Sequence, residues 1–263
     1  MASLNIKGRR SSEVDKWMHV PQIMREKRIG ILAVQETHLT DEIAQQFNDL
    51  FGNTLSLIFS PDPTTRNARG IALVLNKRLM KTEDIKEMTI VPGRAIAIDI
   101  PWHEGQRMNI LAIYALNIPR ETQEFWKVIQ DRLEANPGLE LHVMLGDFNL
   151  VEDAIDRIPS KPDDTSTTEV LRRFKMKHHL VDGWQLANPE EKGYTWSRSS
   201  DGTQSRIDRI YIREDFFNDS TKWDIEPAPI PTDHELISAQ ISTPSAPEIG
   251  RGRWAIPPRL IRT

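Results

Sequence analysis

The stretch "LHVMLGDFNLVED" (residues 141–153) runs apolar for about the length of a strand, then stops on Gly146-Asp147-Phe148-Asn149. That ending sets a carboxylate and an amide two residues apart. Gly, Asp and Asn end strands and make turns on their own account, so one occurrence decides nothing. The pattern recurs, however. "IGILAVQETHL" ends on Gln35-Glu36-Thr37-His38, "QSRIDRIYI" carries Asp208, and "PTDHELISAQI" opens on Thr232-Asp233-His234. "LNIKG" places Asn5 inside the first strand, and "NILAIYALN" places Tyr114 at the end of another. Six apolar segments each deliver polar groups to one end.

Such a set suits hydrolysis of a phosphodiester. The reaction needs a divalent cation against the phosphate charge, a carboxylate to take a proton from water, and donors on the non-bridging oxygens. Glu36 supplies a hard oxygen ligand for such a cation, and Asn5 could add a neutral one. Asp147 is the natural general base. His234 donates to phosphate if an acid such as Asp208 keeps its imidazole charged.

Placing these groups at one end requires strands, and the periodicity provides them. Strands are expected at 2–7, 30–36, 54–60, 69–76, 84–91, 94–101, 107–115, 140–146, 206–213, 221–226 and 234–242. Between them lie helical stripes. One is capped by Thr40 and turns Ile43, Phe47 and Leu50 to one side. Another starts at Pro119, aligns Phe125, Trp126, Ile129 and Leu133, and ends at Asn136-Pro137-Gly138. A third spans about 13–28 and is kinked or restarted at Pro21. Trp17, Trp126 and Trp184 read as core, and His178-His179 as partners of a helix end rather than ligands.

Composition narrows the class. With 263 residues, 38% of them apolar and 27% charged, the chain has enough material for a large soluble α/β domain. It has no cysteine, which excludes a disulfide framework and a thiolate nucleophile. A net charge of -4 argues against coating nucleic acid by bulk electrostatics. It leaves room for a carboxylate-lined cleft with a local basic rim. No run approaches the roughly 18 apolar residues of a membrane span, so an intracellular chain without a membrane partner is expected. No Gly-rich phosphate loop follows the first strand. From residue 243 the sequence turns rich in Ser, Pro, Gly and Arg, which divides the chain into a catalytic domain (1–242) and a tail (243–263).

In order along the chain, Asn5, "QETH", Tyr114, "GDFN", "YTW", "SRIDRI" and "TDHELI" resemble the endonuclease/exonuclease/phosphatase superfamily. "QETHL", "GDFNL" and "YTWSR…SRIDRIYI" look most like the apurinic-type endonuclease domain of non-LTR (LINE-type) retrotransposons. The resemblance implies a four-layered α/β sandwich, two packed mixed β-sheets flanked by helices, with the site at one end. It implies that Glu36, Asn5 and Asp233 hold Mg²⁺ or Mn²⁺, and that Asp147 orients or deprotonates water. Asn149 and Tyr114 would position the phosphate, with a Tyr114 phenolate as the other candidate base. Asp208 would pair with His234, while His38 and Thr232 support the site.

The resemblance further implies a DNA endonuclease that leaves a 3′-hydroxyl for a linked reverse transcriptase in the same polyprotein. Its partner would be double-stranded DNA in the nucleus, and the isolated domain would be a monomer. Other phosphoesterases of the superfamily are the alternatives: abasic-site repair nucleases, inositol-phosphate phosphatases and RNA exonucleases. A non-catalytic nucleic-acid-binding module is a further one. Two departures stand out. Lys7 occupies the place of an acid two residues beyond Asn5, and Thr232 stands where Ser is usual. The "SRSSDGTQSRI" stretch carries the hairpin turn Asp201-Gly202. The resemblance places that hairpin beside the cleft, with Thr195, Arg198 and Arg206 as DNA contacts.

Overall fold

A computed structural model describes residues 1–11, 14–65 and 68–242. The expected tail at 243–263 therefore lies outside the described residues. The first sheet begins with β1 (Ala2–Asn5), β2 (Ile31–Gln35), β3 (Leu55–Ser60) and β4 (Ile71–Asn76). The second is built from β5 (Lys86–Val91), β6 (Ala95–Pro101), β7 (Arg107–Tyr114), β8 (Val143–Asp147), β9 (Leu180–Asp182) and β10 (Asp208–Arg213). The chain then returns to the first sheet with β11 (Ser220–Pro227) and β12 (Glu235–Ile241). Strand orders are β11-β12-β1-β2-β4-β3 and β9-β10-β8-β7-β6-β5. Each sheet is mixed, because β1 runs parallel to β2 and β7 parallel to β8 among antiparallel neighbours.

Side chains alternate along a strand with period two, and the three cores follow that alternation. Ile31, Ala33, Leu73, Ile110, Leu145 and Ile210 meet between the sheets. The intervening Leu32, Val34 and Val74 turn outward onto α1 (Val20–Glu26) and α2 (Asp41–Phe51). Leu111, Ile113 and Met144 turn outward onto α3 (Pro119–Glu134) and α4 (Thr165–Lys177). Helices, sheet, sheet and helices thus make four layers. Each buried Leu or Ile contributes about 1.5–3 kcal/mol, and the sheets gain it on both faces.

Close approach of β8 to β7 depends on Gly146. Its φ is +148°, and a Cβ there would lie 1.9 Å from the carbonyl oxygen of Ile113. Helix α3 begins at Pro119 and buries Phe125, Trp126, Ile129 and Leu133, as its stripe requires. Of the two alternatives for the segment near 13–28, kinked or restarted at Pro21, the structure shows the restart: Asp15 accepts from the Trp17 amide and caps a 3₁₀ turn at Lys16–Met18, after which α1 starts afresh. Pro21 lies in its first turn, where a missing N–H costs nothing. In α2, Phe47 and Ala44 face the core, while Leu50 is turned to solvent.

Candidate active site

The same alternation that builds the core delivers the site. Asp147 shares the parity of Val143 and Leu145 on β8, and Asp208 that of Ile210 and Ile212 on β10. Tyr114 shares the parity of Ile110 and Ala112 on β7. Each therefore continues the row between the sheets, at its rim. Register aligns them: Asp147 pairs with Tyr114 on one side and with Asp208 on the other. Asn5, Gln35, Tyr114 and Asp147 end strands, whereas Asp208 begins an antiparallel one and His234 immediately precedes another. All of them meet at one end of the sandwich.

Asn5 ties the sheets together there. Its Nδ2 donates to Glu36 Oε1 at 3.0 Å and to Asp147 Oδ2 at 2.9 Å, while its Oδ1 accepts from the Lys7 amide at 2.9 Å. That backbone N–H needs an oxygen partner, which fixes the orientation of the amide. Asn5 is thus a donor clamp on two carboxylates; in this orientation it does not present the metal with the oxygen ligand expected from sequence. Across the site, His234 Nδ1 lies 2.8 Å from Asp208 Oδ2, and both side chains are buried. Thr232 Oγ1 donates to the Asn5 carbonyl at 2.9 Å and accepts from the His234 amide, linking the two halves.

Burial shapes the charges. Desolvation, then repulsion from Asp208, raises the Asp147 carboxyl to about 7, against the pull of His234 and the Asn5 donor. For His234, burial favours the neutral ring, but the charge and hydrogen bond of Asp208, followed by Asp147 and Asp233, outweigh it and lift the pKa to about 9. Tyr114 is pushed well above the usual phenol range by burial and Glu36, against the opposing effect of Arg94. A phenolate is thereby disfavoured.

One ligand atom each from Asp147, Asp208 and His234 lies within 4.8 Å of the others. A charged imidazole is a donor and not a ligand, so the oxygens are what suit a hard cation. Asp208 Oδ1 and Asp233 Oδ1 are buried and have no hydrogen-bond partner among the described residues. With Glu36, which Asn5 ties to Asp147, they are the hard oxygen donors that this end of the sandwich offers a divalent ion. The other oxygen of Asp233 is held by Lys7 Nζ at 2.7 Å and Trp196 Nε1 at 3.1 Å. The cation of Lys7 is thus drawn into the site at its rim.

Several expected roles are reassigned. Asn149 does not stay extended beyond Asp147: at φ +48° it turns the chain, its amide donates to Asp147 Oδ1, and its Nδ2 donates to the Ala115 carbonyl. Thr195 is buried and accepts from the amides of Ile207 and Asp208, which positions Asp208. Arg206 is only 3% exposed, bonded to Asp156, Asp182 and Gln185, so it is a core ion-pair member and not a phosphate contact. Arg198 remains exposed on the hairpin formed by Trp196–Arg198 and Thr203–Ser205, beside Asp201. An isolated bridge from Trp196 to His234 sets that hairpin against the site. His38 packs its ring over Gly8, whose amide donates to the Glu36 carbonyl, so it braces the Glu36 loop through the backbone.

Two cations escaped sequence reasoning. The guanidinium of Arg94 lies 4.4 Å over the Tyr114 ring. Buried Lys16 donates to the carbonyls of Ile6 and Lys7, behind Asn5. The only trace in the sequence is an Arg immediately before the alternating run of β6; Lys16 has none.

A profile of the Endonuclease/Exonuclease/phosphatase family matches residues 2–234. A Xenopus laevis protein described as "Transposon TX1 uncharacterized 149 kDa protein" is 29% identical over 257 residues. The match takes in 94% of this chain and only 18% of that protein's length. Among solved structures, the AP endonuclease LMAP from Leishmania major superposes with a TM-score of 0.77 at 16% identity, covering 92% of this chain and 87% of its own. The endonuclease domain of TRAS1, a telomere-specific non-LTR retrotransposon, superposes with a TM-score of 0.65 at 14% identity, covering 92% and 98%. At those identities the two structures establish the fold.

Proposed function

The chain belongs to the endonuclease/exonuclease/phosphatase family, and from that premise we propose that it is a divalent-metal-dependent DNA endonuclease. It nicks one strand of a duplex and leaves a 3′-hydroxyl that primes reverse transcription. The observation that carries the reading is the buried row Tyr114–Asp147–Asp208, with Asn5 clamping Asp147 to Glu36 and His234 held charged by Asp208. The transposon relative supports the biological setting, in which residues 1–242 act as one unit of a longer polyprotein that includes a reverse transcriptase.

Asp147 takes the proton of the attacking water, and Asn149 and Asn5 hold its carboxylate in place. The His234 imidazolium meets the non-bridging oxygen on which charge builds, and Tyr114, a protonated phenol, donates beside it. The P–O3′ bond breaks, so one product ends in a 3′-hydroxyl and the other in a 5′-phosphate. Glu36 and the unpartnered oxygens of Asp208 and Asp233 would hold Mg²⁺ or Mn²⁺, which would supply positive charge against the phosphate.

Supercoiled plasmid incubated with Mg²⁺ should relax to the nicked circle, and a DNA polymerase should extend the nick directly. An abasic duplex and an inositol phosphate serve as parallel substrates. Release of phosphate from the inositol compound without nicking, or full nicking by Asp147→Ala and His234→Ala, would overturn the reading.

A further inference from the structure

A cleft of about 1010 Å³ opens at the other end of the sandwich, where β2 begins and where β4, β6 and β12 finish. One strand length, roughly 20 Å, separates it from Asp147. Its inner wall is apolar, with Ile31, Met80 and Ile241, and Trp102 lies among them. The Trp102 indole N–H is buried without a hydrogen-bond partner among the described residues.

The rim is cationic. Lys27, Arg28, Lys77, Arg78, Lys81 and Lys222 line the cleft, and Glu226 is its one lining acid among the described residues. Glu226 is already paired with Lys27, and Lys77 donates to the Gly52 carbonyl. The side chains of Arg28, Arg78, Lys81 and Lys222 carry no hydrogen bond or ion pair among the described residues. Two of them sit on left-handed backbone, Arg28 and Lys222 both at φ +53°, and Lys222 lies in the bulge of β11 between Thr221 and Asp224. A bulge re-aims a side chain that regular pairing would place elsewhere. In a chain of net charge -4, this concentration of unpaired cations calls for an anionic partner.

We propose that this cleft binds single-stranded nucleic acid, with the four unpaired cations on phosphates and a base against Trp102. A strand is favoured over a duplex because the apolar wall offers unstacked bases a surface, which a duplex cannot use. The site uses none of the residues assigned to nicking, so it stands or falls separately.

Fluorescence anisotropy of a labelled oligothymidylate of about 12 nucleotides, read with the full chain in EDTA, tests it without cleavage. The affinity should fall with salt at a log–log slope near -3, about -0.7 for each of four phosphates. The triple variant R78E/K81E/K222E should bind at least tenfold more weakly with a flatter slope, while cutting a short duplex as before. Trp102→Ala should lose about tenfold with the slope unchanged, and Trp102→Phe should recover most of it. Should the triple reversal fail to fold, R78Q/K81Q/K222Q is expected to show a smaller loss in the same direction. Wild-type affinity in a folded charge variant would overturn the proposal. So would displacement by a short duplex or by polyglutamate as readily as by unlabelled oligothymidylate.

Discussion

Burial alone would push the His234 imidazole below its usual range, yet Asp208, Asp147 and Asp233 carry it to about 9. A group whose folded pKa is raised stabilises the fold fully below its unfolded value and loses that contribution as pH climbs through the folded value. For His234 the contribution is present below pH 6.5 and lost through about 9, on the order of 3 kcal/mol for a shift of that size. Asp147, raised to about 7, has the same sign at lower pH. Thermal melts in EDTA should therefore show stability declining between pH 6 and 9. His234→Ala should be less stable at pH 6, because Asp208 is left buried without its partner, and should show a flatter decline. A parallel decline in both proteins would disprove the assignment. The same two groups shape the rate: nicking should rise with pH as Asp147 ionises and fall as His234 loses its proton, with a bound cation moving the acid limb lower. Asp147→Asn should cost about 10²–10⁴ in kcat. Tyr114→Phe should cost less and keep the shape of the pH profile, since its phenol stays protonated; loss of the profile would make Tyr114 the base.

Among elements, the hairpin separates charge that holds the fold from charge available to DNA. Arg206 and Arg209 share Asp156 and Asp182, and Arg209 also faces Glu152, in a network that fixes the base of the hairpin to β9 and α5 (Gly183–Ala187). Arg206→Ala should destabilise by about 3–5 kcal/mol, because buried carboxylates lose their partner, and leave the salt dependence of duplex binding unchanged. Arg198→Ala should leave the melting temperature within about a degree and reduce the salt slope by about 0.9, the value of one duplex phosphate. The reverse pattern would restore Arg206 as a DNA contact. Both arginines look alike in "SRSSDGTQSRI", and only the pairing of β10 beside β8 shows which one is enclosed. What the sequence did make readable was the strands and their polar ends, since Asp147, Asp208 and Glu36 break apolar runs of strand period. The short β9 escaped because three residues carry too little alternation to register. Lys16 and Arg94 escaped because their partners are distant carbonyls and a ring, which leave no local trace.

For the whole molecule, one end of the sandwich gathers Glu36, Asp147, Asp208 and Asp233 while the other gathers cations, although the chain as a whole is nearly balanced. The acidic end costs stability, and a divalent cation should return it. An ion that binds only the folded chain stabilises by about 2.7 kcal/mol at a hundred times its Kd, so Mn²⁺ should raise the melting temperature. The Asp147 carboxyl beside that site is raised to about 7, and its negative charge, gained as pH climbs through that value, favours a nearby cation, so the rise should be greater at pH 8 than at pH 6. Glu36→Gln should diminish the rise at both, since it removes a ligand while leaving an oxygen for Asn5 to donate to. Ionic strength matched with NaCl is the control, because general screening of four clustered acids would also stabilise the end. An equal rise with NaCl, or no difference between Glu36→Gln and the unaltered chain, would mean that the acids are not a divalent site and that His234 and Lys7 neutralise them without one.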